Sequence, residues 1–121
     1  MEMKLELVPV PVSDTDRAIA FYKKVGFNLD HDHKVQPGLR FVQFTPPGSG
    51  CSIVLGEGTT EMKPGSQKGL QLVVKDARKA HEQLTKRDIE VSEVQEMPWG
   101  IFVFFSDPDG NTWAIQELPQ Y

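Results

Sequence analysis

The chain has 121 residues, 39% hydrophobic content, 25% charged residues and a net charge of −4, which suits one soluble domain with a real core. No apolar run approaches the length of a bilayer span, and the opening Met-Glu-Met-Lys-Leu-Glu lacks the basic flank and long apolar stretch of a secretory signal. The acidic balance and scattered Lys and Arg argue against nucleic acid as a partner. It would favour a cationic ligand, but solubility explains it equally well. Cys51 is the only cysteine, so no internal disulfide is possible, and a reducing, cytoplasmic setting is expected.

Residues 5–12 alternate around Val8, Val10 and Val12, a period-two pattern that predicts a strand. Pro9 and Pro11 lack the N–H that a central strand uses, so this strand is expected to be an edge or irregular. Ser13 or Asp14 can cap a helix running to about Val25. Ala18, Phe21, Tyr22 and Val25 share its inner face, and Gly26 stops it. Three strands are predicted next, over residues 27–33, 39–45 and 51–55. The turns between them hold Pro37-Gly38 and Pro46-Pro-Gly-Ser-Gly50.

The second half repeats this order. A short apolar strand over residues 70–74 leads to Asp76, which can cap a helix to about Arg87, with Ala77, Ala80, Leu84 and His81 toward the inside. Strands are predicted over residues 89–94, 101–106 and 111–117. Val12-Ser-Asp14 and Val74-Lys-Asp76 match at an offset of 62 residues, which reads as paired modules rather than a solenoid. The modules span about 1–57 and 68–121 of a single domain. The Gly-, Thr-, Pro- and Ser-rich stretch 56–68 reads as their linker. The fold class is therefore α+β.

The doubled βαβββ unit, the stretch Val12-Ser-Asp-Thr-Asp-Arg-Ala-Ile-Ala-Phe-Tyr22 and the closing Phe104-Phe-Ser-Asp-Pro-Asp-Gly-Asn111 together resemble the vicinal oxygen chelate superfamily. That superfamily includes glyoxalase I, extradiol dioxygenases, fosfomycin-inactivating enzymes and bleomycin-resistance proteins. The resemblance covers essentially the whole chain. It implies paired modules forming a curled mixed sheet around a cavity, often completed by homodimerisation. It also implies metal ligands on the first and fourth strands of each module. Carried onto this chain, those positions fall on Leu7, Val54 (or Ser52), Gly69 and Ala114. None offers the carboxylate, imidazole or thiolate that a hard or borderline cation requires. No metal and no cofactor are expected there.

Strand parity in this register puts the greasier row of each strand against its helix. The cavity row then holds Leu5, Leu7, Ser52, Val54, Gln71, Thr112, Ala114 and Gln116, with Phe41 and Gln43 on the same face. Apolar walls with a few neutral polar groups suit a small-molecule pocket. Parity sends some of Phe102, Phe104 and Phe105 to the helix and some to the cavity. Phe102 and Phe104 are placed in the cavity set. Trp99, on a loop between Pro98 and Gly100, either stacks on a flat ligand or covers a sheet end or dimer contact.

Asp30-His31-Asp32-His33 is the one donor cluster, with His31 and His33 on one strand face. Without a third ligand it reads first as a solvated hairpin. Cys51 reads as a small core residue. No nucleophile elbow, phosphate loop or nucleophile–base pair is present. Three functions are compatible with these residues. The first is a metal-independent protein that holds, and sequesters, a planar, aromatic or antibiotic-like ligand as a homodimer, and it is not expected to be an enzyme. The second is a divalent-metal lyase or dioxygenase with displaced ligands. The third is an interaction module whose cavity is filled by its own side chains. The inert residues at four ligand positions favour the first.

Overall fold

A computed structural model describes residues 1–120. In chain order the elements are β1 (Leu7–Pro9), α1 (Thr15–Val25), β2 (Asn28–Gln36), β3 (Leu39–Thr45), β4 (Ser52–Glu57), β5 (Leu70–Val74), α2 (Ala77–Lys86), β6 (Gln95–Met97), β7 (Gly100–Ser106) and β8 (Thr112–Glu117). Each βαβββ unit makes its own mixed four-stranded sheet, ordered β1-β4-β3-β2 and β5-β8-β7-β6. The first strand of each unit runs parallel to the last, and the other pairs are antiparallel.

Local chemistry sets the helix ends. Asp14 and Asp76 are extended, and their carboxylates accept from the backbone N–H of Arg17 and Lys79. Each satisfies a donor that the first helical turn leaves free. Gly26 ends α1 in the left-handed conformation, and its N–H donates to the Tyr22 and Lys23 carbonyls. β1 is shorter than the period-two pattern predicts. Pro9 and Pro11 cannot extend its ladder, and it lies at a sheet edge. The strand expected over residues 89–94 does not form. Its apolar residues serve other ends: Ile89 is buried with its N–H on the Leu84 carbonyl, and only Ser92 pairs with β7, through Phe104. The paired strand comes later, at Gln95–Met97.

The inner rows of both sheets share one core. Val42, Phe44, Ile53 and Leu55 from the first sheet join Val103, Phe105, Trp113 and Ile115 from the second, with Ala18, Tyr22 and Val25 of α1 and Ala77 and Leu84 of α2. Phe21 and Ala80 pack against it partly buried. Fully burying one such side chain is worth about 1.5–3 kcal/mol. Cys51 is not in this core. It sits half-buried in the turn before β4, beside the Ser49 hydroxyl.

A polar chain crosses the core between the modules. The Trp113 indole N–H donates to the Tyr22 hydroxyl at 3.0 Å, and that hydroxyl donates to Asp107 Oδ2 at 2.8 Å. Burial first, and the Asp107 charge second, push the Tyr22 phenol far above its ordinary range, so it stays a neutral donor.

A second clamp ties α1 to the β2–β3 hairpin. The Arg40 guanidinium bonds both Asp32 carboxylate oxygens at 2.9 Å and reaches Asp16 Oδ1 at 3.0 Å. Hydrogen bonding from Arg40 holds the Asp32 carboxyl below the usual carboxylate range. A depressed folded-state pKa gives stability that is present above the unfolded value, about 3.9, and lost as pH falls through the folded one. Arg40→Met is therefore expected to cost about 1–2 kcal/mol at pH 7, Asp16 adding little because it is exposed. The gap from wild type should shrink below about pH 4. Urea denaturation of both proteins at several pH values checks this.

Candidate functional site

The expected pocket residues lie on the two sheet faces turned away from the shared core. Within one chain they do not meet around one cavity. On the first sheet Leu7 sits opposite Ser52, Gln43 opposite Val54 and Phe41 opposite Gly56. On the second sheet Gln71 and Phe104 both sit opposite Ala114, and Phe102 sits opposite Gln116. Thr112 pairs with Ser106 on the same face. Phe105 goes to the core, whereas Phe102 and Phe104 stack on the outer face, with centroids 5.8 Å apart and planes within 6°.

The polar groups on these faces form directed chains. On the first sheet the Thr45 and Ser52 hydroxyls are 2.6 Å apart, and Thr45 also contacts the Asp30 carboxylate. An ionised carboxylate only accepts, so Thr45 donates to Asp30 and Ser52 donates to Thr45. On the second sheet the Gln116 amide donates to the Trp99 carbonyl at 2.8 Å. A carbonyl also only accepts, so the Gln116 oxygen must face Gln71, which donates to it. This ties the β6–β7 turn to the face. The Trp99 side chain stands 60% exposed at the rim, where the sequence left its role open.

A cleft of about 640 Å³ lies on the second face. Phe104, Thr112 and Ala114 line it as expected, together with Glu90, Val91 and Ser92. Those last three were missed because residues 89–94 read as a strand with no face assigned to the pocket. The volume lies within the range of small-molecule sites.

The family metal does not fit these residues. Leu7, Val54, Gly69 and Ala114 have no side-chain donor, and the residues opposite two of them, Ser52 and Gln71, are neutral and weakly ligating. Among the described residues no group of three or more His, Cys, Asp or Glu side chains is placed to hold an ion. No helix among them is long and apolar enough to cross a membrane.

Residues 4–115 match the model of the Glyoxalase/Bleomycin resistance protein/Dioxygenase superfamily. The uncharacterized protein YetH of Bacillus subtilis is 30% identical, over 97% of this chain and 100% of that protein. Among solved structures, TnmS3, an antibiotic binding protein from Streptomyces sp. CB03234, is 35% identical with a TM-score of 0.88, covering 98% of each chain. A superfamily member from Sphaerobacter thermophilus is 33% identical with a TM-score of 0.82, covering 96% of this chain and 98% of that one.

Proposed function

Because this chain belongs to the Glyoxalase/Bleomycin resistance protein/Dioxygenase superfamily yet has no ligating side chain at the four positions where that superfamily holds its metal, we propose that it is a metal-independent small-molecule binding protein. The single observation that carries this reading is the set of residues paired on the two outer faces, Leu7, Phe41, Gln43, Val54, Phe102, Phe104, Ala114 and Gln116 among them, which are apolar with a few neutral polar groups. Such a surface binds by burying apolar area and by a few oriented hydrogen bonds. Likeness to an antibiotic binding protein at 35% identity supports the same reading. The flat stack of Phe102 and Phe104 favours a planar or aromatic ligand, and sequestration of an antibiotic-like molecule is the role this suggests.

A homodimer completes the proposal. A good site buries about 70–90% of its ligand, and one open sheet face covers only one side. Apolar Leu7, Val73 and Trp99, at 36%, 61% and 60% exposure, stand at the margins of the two faces. The first sheet of one copy closing over the second sheet of another would enclose the ligand and cover these side chains. Phe41, Gln43, Ser52 and Val54 would then face Gln71, Phe102, Phe104, Thr112, Ala114 and Gln116.

Phe104→Ala tests the site. Phe104 is half-buried on the outer face, so the variant should fold, and its loss should weaken binding of a planar ligand by about tenfold or more, or ~1.4 kcal/mol. Isothermal titration checks it. Unchanged affinity would move the site away from the second face.

A further inference from the structure

We propose that His31 and His33 form a two-imidazole site for a borderline divalent transition-metal ion of the zinc or nickel class, separate from the four family positions. The two residues flank Asp32 on β2, opposite Gln43 and Phe41 of β3, so both rings stand on the outer face of the first sheet. The ring centroids are 5.7 Å apart and the planes within 25° of parallel. Two imidazoles on one tetrahedral ion, with metal–nitrogen bonds of about 2.1 Å and about 1.1 Å from nitrogen to ring centre, would place their centroids about 5.3 Å apart. The observed spacing is close to this, and rotation of the two exposed rings about their side-chain torsions is needed to turn one nitrogen of each toward the shared ion.

The neighbouring carboxylates are engaged elsewhere. Asp32 turns to the inner side and is held by Nε and Nη2 of Arg40, and Asp30 is bonded by Thr45. This leaves both imidazoles exposed and, among the described residues, without a hydrogen-bond or ion-pair partner of their own. Neutral imidazole is the donor that zinc, nickel and copper prefer, whereas calcium and magnesium prefer oxygen. Two ligands leave the remaining coordination positions to water on the exposed face of the hairpin. The site does not rest on the ligand-binding reading, since it is probed with the metal alone.

The test is calorimetric titration of tag-free, chelator-stripped protein with zinc chloride and with nickel chloride in a non-coordinating buffer. The expected result is saturable binding of one ion per chain. His31→Ala or His33→Ala should weaken it about tenfold or more, and the double variant should abolish it. The chain has one other histidine, His81, and one cysteine, Cys51, so His81→Ala and Cys51→Ser should bind as wild type does. Absence of saturable binding would overturn the proposal. So would binding that survives in the double histidine variant, or that disappears in the His81 or Cys51 variant. Far-UV circular dichroism confirms that the variants, all at surface or half-buried positions, are folded.

Discussion

Asp107→Ala is expected to lower the unfolding free energy by about 3–5 kcal/mol, a large part of the roughly 5–15 kcal/mol that holds a domain together. The carboxylate is buried at 5% exposure and accepts four hydrogen bonds. Two come from side chains, the Tyr22 hydroxyl and the Asn111 amide, both at 2.8 Å. Two come from the backbone N–H groups of Asp109 and Asn111, both at 3.0 Å. Removing it orphans several buried donors at once, each costing about 1–3 kcal/mol. The damage also reaches the joint between the modules. Asn111 donates to the Pro11 carbonyl at 2.7 Å and accepts from the Gln67 N–H at 3.0 Å, so the turn holds both the first strand and the connecting segment. Tyr22→Phe removes one of the four donors to Asp107 and leaves the Trp113 indole N–H without its acceptor, and should cost less, about 1–3 kcal/mol. Chemical denaturation of the two variants side by side checks the difference.

Gly56→Ala is expected to cost about 3 kcal/mol or more. Gly56 lies in β4 opposite Phe41, with φ near +135°, a region L side chains rarely enter. A Cβ built there falls 2.0 Å from the Arg40 carbonyl oxygen. That oxygen belongs to the backbone of the paired strand, so it cannot swing aside as a flexible side chain would. Relief requires the β3–β4 ladder to open beside the Arg40 clamp, combining backbone strain with overpacking. Thermal melts should show a fall of at least several degrees, and a variant melting like wild type would mean that the ladder yields more easily than its geometry implies.

Much of this fold is legible in the sequence. β3 and β5 lie over the residues expected of them, at Leu39–Thr45 and Leu70–Val74. The capping aspartates and Gly26 set the helix ends as their chemistry requires. Strand parity also sorts core from outer face, because a side chain cannot change sides without shifting the whole ladder. Trp113 and Ile115 are buried in the core, and Phe41 and Gln43 stand outside it.

Other features depend on tertiary contacts that no local pattern encodes. Residues 89–94 have the composition of a strand, yet Ile89 is used to cap α2 and bury its end. Gln95–Met97 carries no strand pattern and pairs only because the turn at Pro98 and Trp99 brings it back onto β7. The division of the candidate site between two faces follows from Tyr22 reaching Asp107, 85 residues away. Until the inner rows of both modules are known to share one core, the outer rows read as a single cavity.

Metal-independent binding is tested most directly by thermal shift of the tag-free protein in excess EDTA, against a panel of planar antibiotics and aromatic metabolites. At least one member is expected to raise the melting temperature in a concentration-dependent way, as a ligand that binds only the folded state must, and the shift should be the same with and without the chelator. No shift across the panel, or a shift that appears only when a divalent metal is restored, would contradict it.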